Sequence, residues 1–448
     1  MKTFRIGGIH PHDNKLSADC AISNFPLPSV AYISMAQHLG APAEPLVSKG
    51  DYVKVGQLIG KASGFISANV HASVSGTVKA VEPCADHLGF KSMTVVIEVQ
   101  GDEWDESIDT RPEMNKDLNL DVAEIVQRIA AGGVVGLGGA TFPANVKLSP
   151  PAGKKAECLI LNGVECEPFL TSDYRLMLEE GEKILVGAQL MMKALRVSRC
   201  YLGIEENKPV AIEKMKGLLG SYKGIELVVL KMRYPQGGEK QLIDAILRRQ
   251  VPSMGLPIDV GAVVHNVGTA LAVYEAVQKQ KPLFENIVTV TGGCLSQHRN
   301  FRVRVGTPLA NLIDAVGGLP QDAAKVVLGG PMMGKPVAHF LAPTLKGTSS
   351  ILFLTEKETK RKEAGSCIRC GKCIDACPMG LEPHLLIRLS RHERMDELEA
   401  NKIQDCIECG CCLYTCPAYL PLLDEIRISK AQVLKIIRNR PKKVVLAK

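Results

Sequence analysis

Apolar and polar residues alternate about glycines in residues 47–61 (VSKGDYVKVGQLIGK) and 68–81 (ANVHASVSGTVKAV), the period-2 pattern of short hairpin strands. A small β-rich domain is expected over the first hundred or so residues. The pattern then changes: residues 121–131 (DVAEIVQRIAA) carry apolar positions at helical spacing and stop at Gly132-Gly133. Strand-length apolar runs follow at 158–162 (CLILN), 200–204 (CYLGI) and 226–230 (ELVVL), separated by helical patterns such as 182–195. That alternation predicts an α/β domain with a mainly parallel sheet. Residues 286–293, 301–305, 308–316 and 325–328 read as a compact ββαβ unit, a β-grasp module, with a further strand-length run at 350–355. Seven charges in the eleven residues 356–366 mark a surface linker. No window approaches the roughly eighteen apolar residues of a spanning helix.

The predicted fold class is therefore multidomain α/β. Its parts are a barrel-sandwich-like β domain (1–115), an α/β domain (116–285), a β-grasp module (286–355), a cysteine-rich ferredoxin-type domain (356–425) and a basic C-terminal tail (426–448). The first domain resembles lipoyl and biotinyl carriers. Its matching turn reads His71-Ala72-Ser73 where they expose a lysine, so no lipoylation is expected.

Composition changes the picture at three points. Aromatics are 4% with one Trp, which argues against base-stacking nucleic-acid modules. The net charge of +7 is localised, because eight Lys or Arg and no acid lie in 426–448. Residues 430–440 are thus a candidate lipid or acidic-partner contact, or a solvated helix end. Residues 1–13 lack the apolar core of a secretory signal, so a cytoplasmic setting is expected, and eight of the 15 cysteines read as ligands rather than disulfides, the other seven showing no ligand spacing.

Eight of those cysteines form C-x2-C-x2-C-x3-C-P twice: Cys367, Cys370, Cys373 and Cys377, then Cys406, Cys409, Cys412 and Cys416. In two-cluster ferredoxins the fourth cysteine of each motif reaches the other cluster. The expected sets are Cys367, Cys370, Cys373 and Cys416 for one [4Fe-4S] cluster, and Cys377, Cys406, Cys409 and Cys412 for the other. Zinc would leave the third cysteine of each triple and the following proline unexplained. Cys411, beside Cys412, falls outside the repeat. Residues 381–399 have helical spacing, consistent with a helical ferredoxin module.

Residues 132–147 (GGVVGLGGATFPANVK) form a glycine-rich loop ending in a lysine, followed by a strand expected to carry Asn162, Glu165 and Glu167. Backbone amides can approach a phosphate where side chains are absent. The loop resembles the flavin loop of the complex I flavin subunit. LNGVECEP, YPQGGEKQL and HNVGT resemble three further motifs of that protein in the same order. The resemblance implies FMN and NAD(H) sites in one pocket. Gly136, Gly138, Gly139, Lys147, Asn162, Asn266 and Thr269 would lie toward FMN, and Phe142, Glu165, Glu167 and Glu239 near the flavin ring or the nicotinamide nucleotide. Val164, Gly238 and Gly268 depart from that pattern by replacing acids.

With the opening GGIHPHDNK and the doubled cluster motif, the whole chain resembles the RnfC family of Rnf electron transport complexes. That resemblance implies a peripheral subunit on the cytoplasmic face of the inner membrane. Its partners would be integral membrane and ferredoxin-type subunits of the same ion-translocating ferredoxin:NAD oxidoreductase, with ferredoxin itself reached indirectly. It would exchange a hydride between NAD(H) and FMN and pass single electrons through two [4Fe-4S] clusters, with no catalytic side chain required. The rival readings are a soluble flavin and iron-sulfur reductase, such as a cobalamin reductase, and a non-catalytic scaffold.

Overall fold

The structure, a computed structural model, describes residues 1–440. The alternation in the N-terminal region builds two facing sheets. Val30–Ser34, Lys91–Val99, Gly76–Ala85 and Tyr52–Val53 form one, and Glu44–Pro45, Leu58–Lys61 and Val70–His71 the other. Every second residue turns inward, so Ile33, Val53, Ile59, Val70, Val95 and Ile97 fill the space between them.

The α/β domain is a four-stranded parallel sheet in the order Ile225–Leu230, Cys200–Glu205, Cys158–Asn162, Ala262–Asn266. Three of these strands are the expected apolar runs. The fourth is half of the HNVGT motif, whose other half opens the helix Val267–Gln278. Strand order reverses between Cys158–Asn162 and Ala262–Asn266, and in open α/β sheets ligands bind beyond the carboxyl ends of the strands at such a switch. Asn162 and Asn266 are register partners at those ends. Behind the sheet, helix Gly181–Leu195 crosses Val267–Gln278 so closely that a Cβ on Gly187 would overlap the backbone of Ala270. Helix Val122–Ala131 starts at Asp121, whose carboxylate accepts the Glu124 amide at 2.7 Å, and buries Ile125 and Ile129.

The β-grasp region is a six-stranded sheet ordered Ile22–Asn24, Arg299–Arg304, Glu285–Gly292, Ser350–Thr355, Ala323–Leu328, Lys335–Pro336. Its central pair, Glu285–Gly292 and Ser350–Thr355, is parallel. Lys346, 1% exposed, ties three regions together by donating to the carbonyls of Asn69 and Gly133 at 2.7 Å each. Burial lowers its pKa to about 7.

The structure differs from the expected boundaries in three places. Residues 1–24 do not belong to the β sandwich: Lys2 bridges to Leu230, Ile9 to Tyr234, and Ile22–Asn24 forms the edge of the β-grasp sheet. Residues 381–399 are two helices, Pro383–Arg391 and Met395–Ala400, parted at Glu393 in the left-handed region (φ +53°). The boundary at 425/426 falls inside helix Leu422–Asn439, whose Ile426, Ser429 and Val433 are buried in the ferredoxin core. Two of the basic residues set aside for a lipid or partner face are engaged internally. Lys430 donates to Glu408 at 2.8 Å and to the Cys406 carbonyl at 2.7 Å, and Arg440 pairs with Glu399. Residues 441–448 of the expected tail lie outside the described residues. No helix among the described residues is long and apolar enough to cross a membrane.

Candidate functional site

The glycine loop lies across the carboxyl ends of the parallel strands. Thr269, fully buried in the first turn of Val267–Gln278, anchors it by accepting the Leu137 amide at 2.9 Å. Gly136 donates to the Phe142 carbonyl at 2.8 Å, closing the loop, while Gly138 and Gly139 stay exposed. Gly139 has φ +120° and open space where a side chain would stand. Asn162 donates to the Gly237 carbonyl at 2.9 Å, and Asn266 caps its helix by accepting the Gly268 amide at 2.6 Å. Lys147 and Glu239 pair at 2.5 Å across the mouth of the crevice. Exposed backbone amides, two strand-end carboxamides, a helix N-terminus and an ammonium make a donor set suited to a phosphorylated, hydrogen-bonding ring cofactor. Among the expected residues the structure pairs Gly136 with Phe142, sets Gly138 beside Asn266, hangs the loop on Thr269, and joins Lys147 to Glu239, close in sequence to Asn162's partner Gly237.

Glu165 and Glu167 are placed differently from expectation. Neither is on the strand, which ends at Asn162. Glu165 accepts the amides of Asp173 (2.7 Å) and Tyr174 (3.2 Å), capping helix Ser172–Glu179 behind Asn266. Glu167 accepts the amides of Met332 (3.2 Å) and Met333 (2.9 Å) in the β-grasp region and the Tyr234 hydroxyl at 3.5 Å. A Cβ on Gly330 would overlap its carboxylate, so Gly330 is what admits it. Glu167 is thus tied to the Met332–Met333 turn, where two backbone amides satisfy its carboxylate.

The sequence reading missed the polar layer beneath these loops. Lys15, from the GGIHPHDNK segment, donates to the carbonyls of Glu165, Glu167 and Leu170 at 2.7–3.0 Å. Burial, then neighbouring Lys208, lowers its pKa to about 8. Asp173 accepts from Asn266 at 2.6 Å, and burial, then Glu165, raises it to about 7. The only local signal was the Thr171-Ser172-Asp173 helix start, which reads equally well as a cap.

Glu167 is pushed up to about 7, chiefly by burial. Between pH 4.5 and 7 the folded chain therefore holds a proton there that the unfolded chain has released, so this group's contribution to stability falls as pH rises through that window. Glu167→Gln is expected to remove that slope, read as the difference between wild-type and variant melting temperatures from pH 5 to pH 8.

The eight motif cysteines ring two cavities. Cys367, Cys370, Cys373 and Cys416 line the first, together with Ile368, Arg369, His384 and Arg388. Cys377, Cys406, Cys409 and Cys412 line the second. Each cavity draws three cysteines from one motif and one from the other. Among the described residues no three His, Cys, Asp or Glu side chains converge closely enough for a single metal ion. Four thiols spaced around a cavity suit a cluster several ångströms wide rather than one zinc. The cavities differ in setting: Cys367 and Cys370 are exposed, whereas Cys377 is buried with Leu381 and Leu386 in the ferredoxin core and Cys409 against Ile9, Tyr234 and Cys411. Cys411 lines the second cavity and donates its thiol to the Tyr234 carbonyl at 3.9 Å, and its thiol beside Cys409 holds the Cys409 pKa below its ordinary value.

The crevice and the second cage share one chain segment. Tyr234 donates to the Cys409 carbonyl at 2.9 Å, Gly237 meets Asn162, Glu239 meets Lys147, and Gln241 donates to the Pro378 carbonyl at 3.2 Å.

Comparison with known proteins places each part. Residues 2–102 match the RnfC barrel sandwich hybrid domain, 129–275 the Nuo51 FMN-binding domain, 287–336 the SLBB domain and 359–417 the 4Fe-4S dicluster domain. The C subunit of the proton-translocating ferredoxin:NAD(+) oxidoreductase complex of Clostridium ljungdahlii is 46% identical over 89% of this chain and 86% of its own length. Its Na(+)-translocating counterpart from Acetobacterium woodii is 44% identical over 96% and 97%. The corresponding subunit of the ion-translocating oxidoreductase complex of Rhodobacter capsulatus is 43% identical over 86% and 74%.

Proposed function

Because the chain belongs to the RnfC family, the C subunits of ion-translocating ferredoxin:NAD(+) oxidoreductase complexes, we propose that its crevice and two cysteine cages form one internal electron path between NAD(H) and its partner subunits. The protein is an electron-transfer subunit of such an oxidoreductase, with FMN and two [4Fe-4S] clusters as cofactors. When bound, FMN supplies hydride exchange with NAD(H) and one-electron exchange with the clusters.

The side chains position, and none needs to act as acid or base. Loop residues Gly136, Gly138 and Gly139 present amides to the flavin, held in place by Thr269. Lys147, oriented by Glu239, balances phosphate charge. Asn162 and Asn266 offer amides to the ring from the strand ends, with Asp173 and Glu165 fixing Asn266 from behind. Phe142, closing the loop on Gly136, would lie toward the flavin ring, and Glu239, paired with Lys147, toward the nucleotide. Cys377, Cys406, Cys409 and Cys412 hold the cluster nearer the flavin, while Cys367, Cys370, Cys373 and Cys416 hold the outer one.

The observation that carries this reading is the 234–241 segment, which touches the flavin crevice and the second cage within eight residues. The exposed first cage, with Ile368 67% exposed and Arg369 and Arg388 in its lining, is the face toward the partners. Those partners are ferredoxin-type and integral membrane subunits, with this chain peripheral on the cytoplasmic face of the inner membrane. An anaerobic NADH titration of the loaded protein tests the path, and flavin bleaching together with growing reduced-cluster EPR signals is expected. FMN-loaded protein that does not bleach would overturn the nucleotide site. Bleaching that leaves oxidised a cluster whose potential lies above that of the NAD(H) couple would overturn the internal path.

A further inference from the structure

We infer that Gly7 sets the spacing between the flavin crevice and the inner cysteine cage, so that the N-terminal strap governs electron passage between them. The inference rests on the internal path described above. The strap is fixed to the α/β domain on both sides of Gly7. Before it, Lys2 donates to the Val229 carbonyl and accepts from Lys231, the Arg5 amide donates to Asp244 at 2.8 Å, and Arg233 stacks 4.4 Å over the Phe4 ring. After it, Ile9 and Tyr234 exchange two backbone hydrogen bonds at 2.8 and 2.9 Å.

Between these ties the chain is pressed onto a ligand of the inner cage. Gly8 donates to the Ala376 carbonyl at 2.9 Å. A Cβ on Gly7 would overlap the carbonyl carbon and oxygen of Cys377 and lie 2.6 Å from the Pro378 nitrogen. These obstacles are backbone atoms of the ligand loop, so no side chain can swing aside to make room. Gly7 also has φ +69°, where a Cβ is strained. The strap thus acts as a spacer one hydrogen atom thick between the α/β domain and the Cys377-Pro378 turn. Gln241, reaching Pro378 from the helix that starts at Glu239, is the second tie across the same seam. Electron tunnelling falls exponentially with distance, so a seam opened by one methyl group slows transfer while leaving each cofactor site intact.

The test compares Gly7→Ala with Gly50→Ala in the full FMN- and cluster-loaded chain. Gly50 has φ +99° and nothing within 4 Å, so its substitution adds similar backbone strain without a close approach. On rapid mixing with NADH, both variants are expected to bleach flavin at the wild-type rate. Cluster reduction should lag several-fold in Gly7→Ala alone. Hydrogen exchange, an independent readout, should quicken in residues 6–9 and 376–380 of Gly7→Ala alone. Wild-type cluster reduction and exchange in Gly7→Ala would overturn the inference, as would an equal lag in Gly50→Ala. If Gly7→Ala fails to retain the inner cluster, Gln241→Leu, which removes the tie to Pro378 without adding bulk, is expected to lag instead, and no lag there overturns the spacing role. A wild-type chain whose flavin bleaches while a cluster of potential above that of the NAD(H) couple stays oxidised fails at the electron path itself, which separates that failure from this one.

Discussion

Replacing Cys416 with alanine is expected to abolish the outer cluster and leave the inner one intact, although Cys416 belongs to the second motif. Its thiol lines the cavity of Cys367, Cys370 and Cys373. Cys377→Ala should do the converse, removing the cluster held by Cys406, Cys409 and Cys412. Iron content should fall by half in each variant, and a different reduced-cluster EPR signal should vanish. Loss of the opposite signal in each would mean that every motif serves its own cluster, and the crossed assignment would be wrong. The functional consequences separate as well. Cys416→Ala should still bleach flavin and reduce the inner cluster with NADH but lose delivery to an external one-electron acceptor protein. Cys377→Ala should bleach flavin and stop there.

The second large effect is on folding. Glu285 begins the β-grasp region and meets Lys281 at 2.7 Å, Arg302 at 3.4 Å and Arg304 at 3.5 Å. Arg302 also reaches Glu180 of the α/β domain at 2.9 Å, and Lys281 reaches Glu275 at 2.8 Å. Burial alone would raise the Glu285 pKa, yet Lys281 and Arg302 together hold it down at about 2. A carboxyl depressed in the folded state stabilises it fully above its unfolded value near 4.5, and that stability is lost as pH falls toward 2. Removing one member of a buried charge network costs roughly 3–5 kcal/mol because the remaining charges stay desolvated. Glu285→Gln is expected at the low end, about 3 kcal/mol, since Lys281 and Arg302 keep other acids. Urea unfolding at pH 7 reads this loss directly. The wild-type and variant curves should converge between pH 4.5 and pH 2, and a constant difference across that range would show that the charge of Glu285 is not what stabilises the seam.

Periodicity was informative wherever a segment buries one of its own faces. Residues 121–131 became a helix because Ile125 and Ile129 share a face and Asp121 caps it. Residues 158–162 became a central strand because both faces of CLILN are apolar. At 381–399 it marked helix correctly but not the break, where a left-handed Glu393 parts two helices.

The spacing of the cysteines pointed by itself to two four-cysteine groups, and the structure gathers the same eight around two cavities, because the three closely spaced thiols of C-x2-C-x2-C converge locally while the fourth crosses to the other motif's group. The motif order likewise marked Gly136 to Thr269 as a cofactor crevice. Only the tertiary structure decided that the inner cage abuts that crevice, that Glu167 is tied to the amides of Met332 and Met333, and that residues 1–24 are shared between two sheets. It also decided that helix Leu422–Asn439 closes the ferredoxin core rather than beginning a free tail. The reason is common to all four. A backbone edge or a buried carboxylate takes whichever partner folding brings within hydrogen-bond reach, and that partner can lie hundreds of residues away with no periodic trace in the segment that receives it.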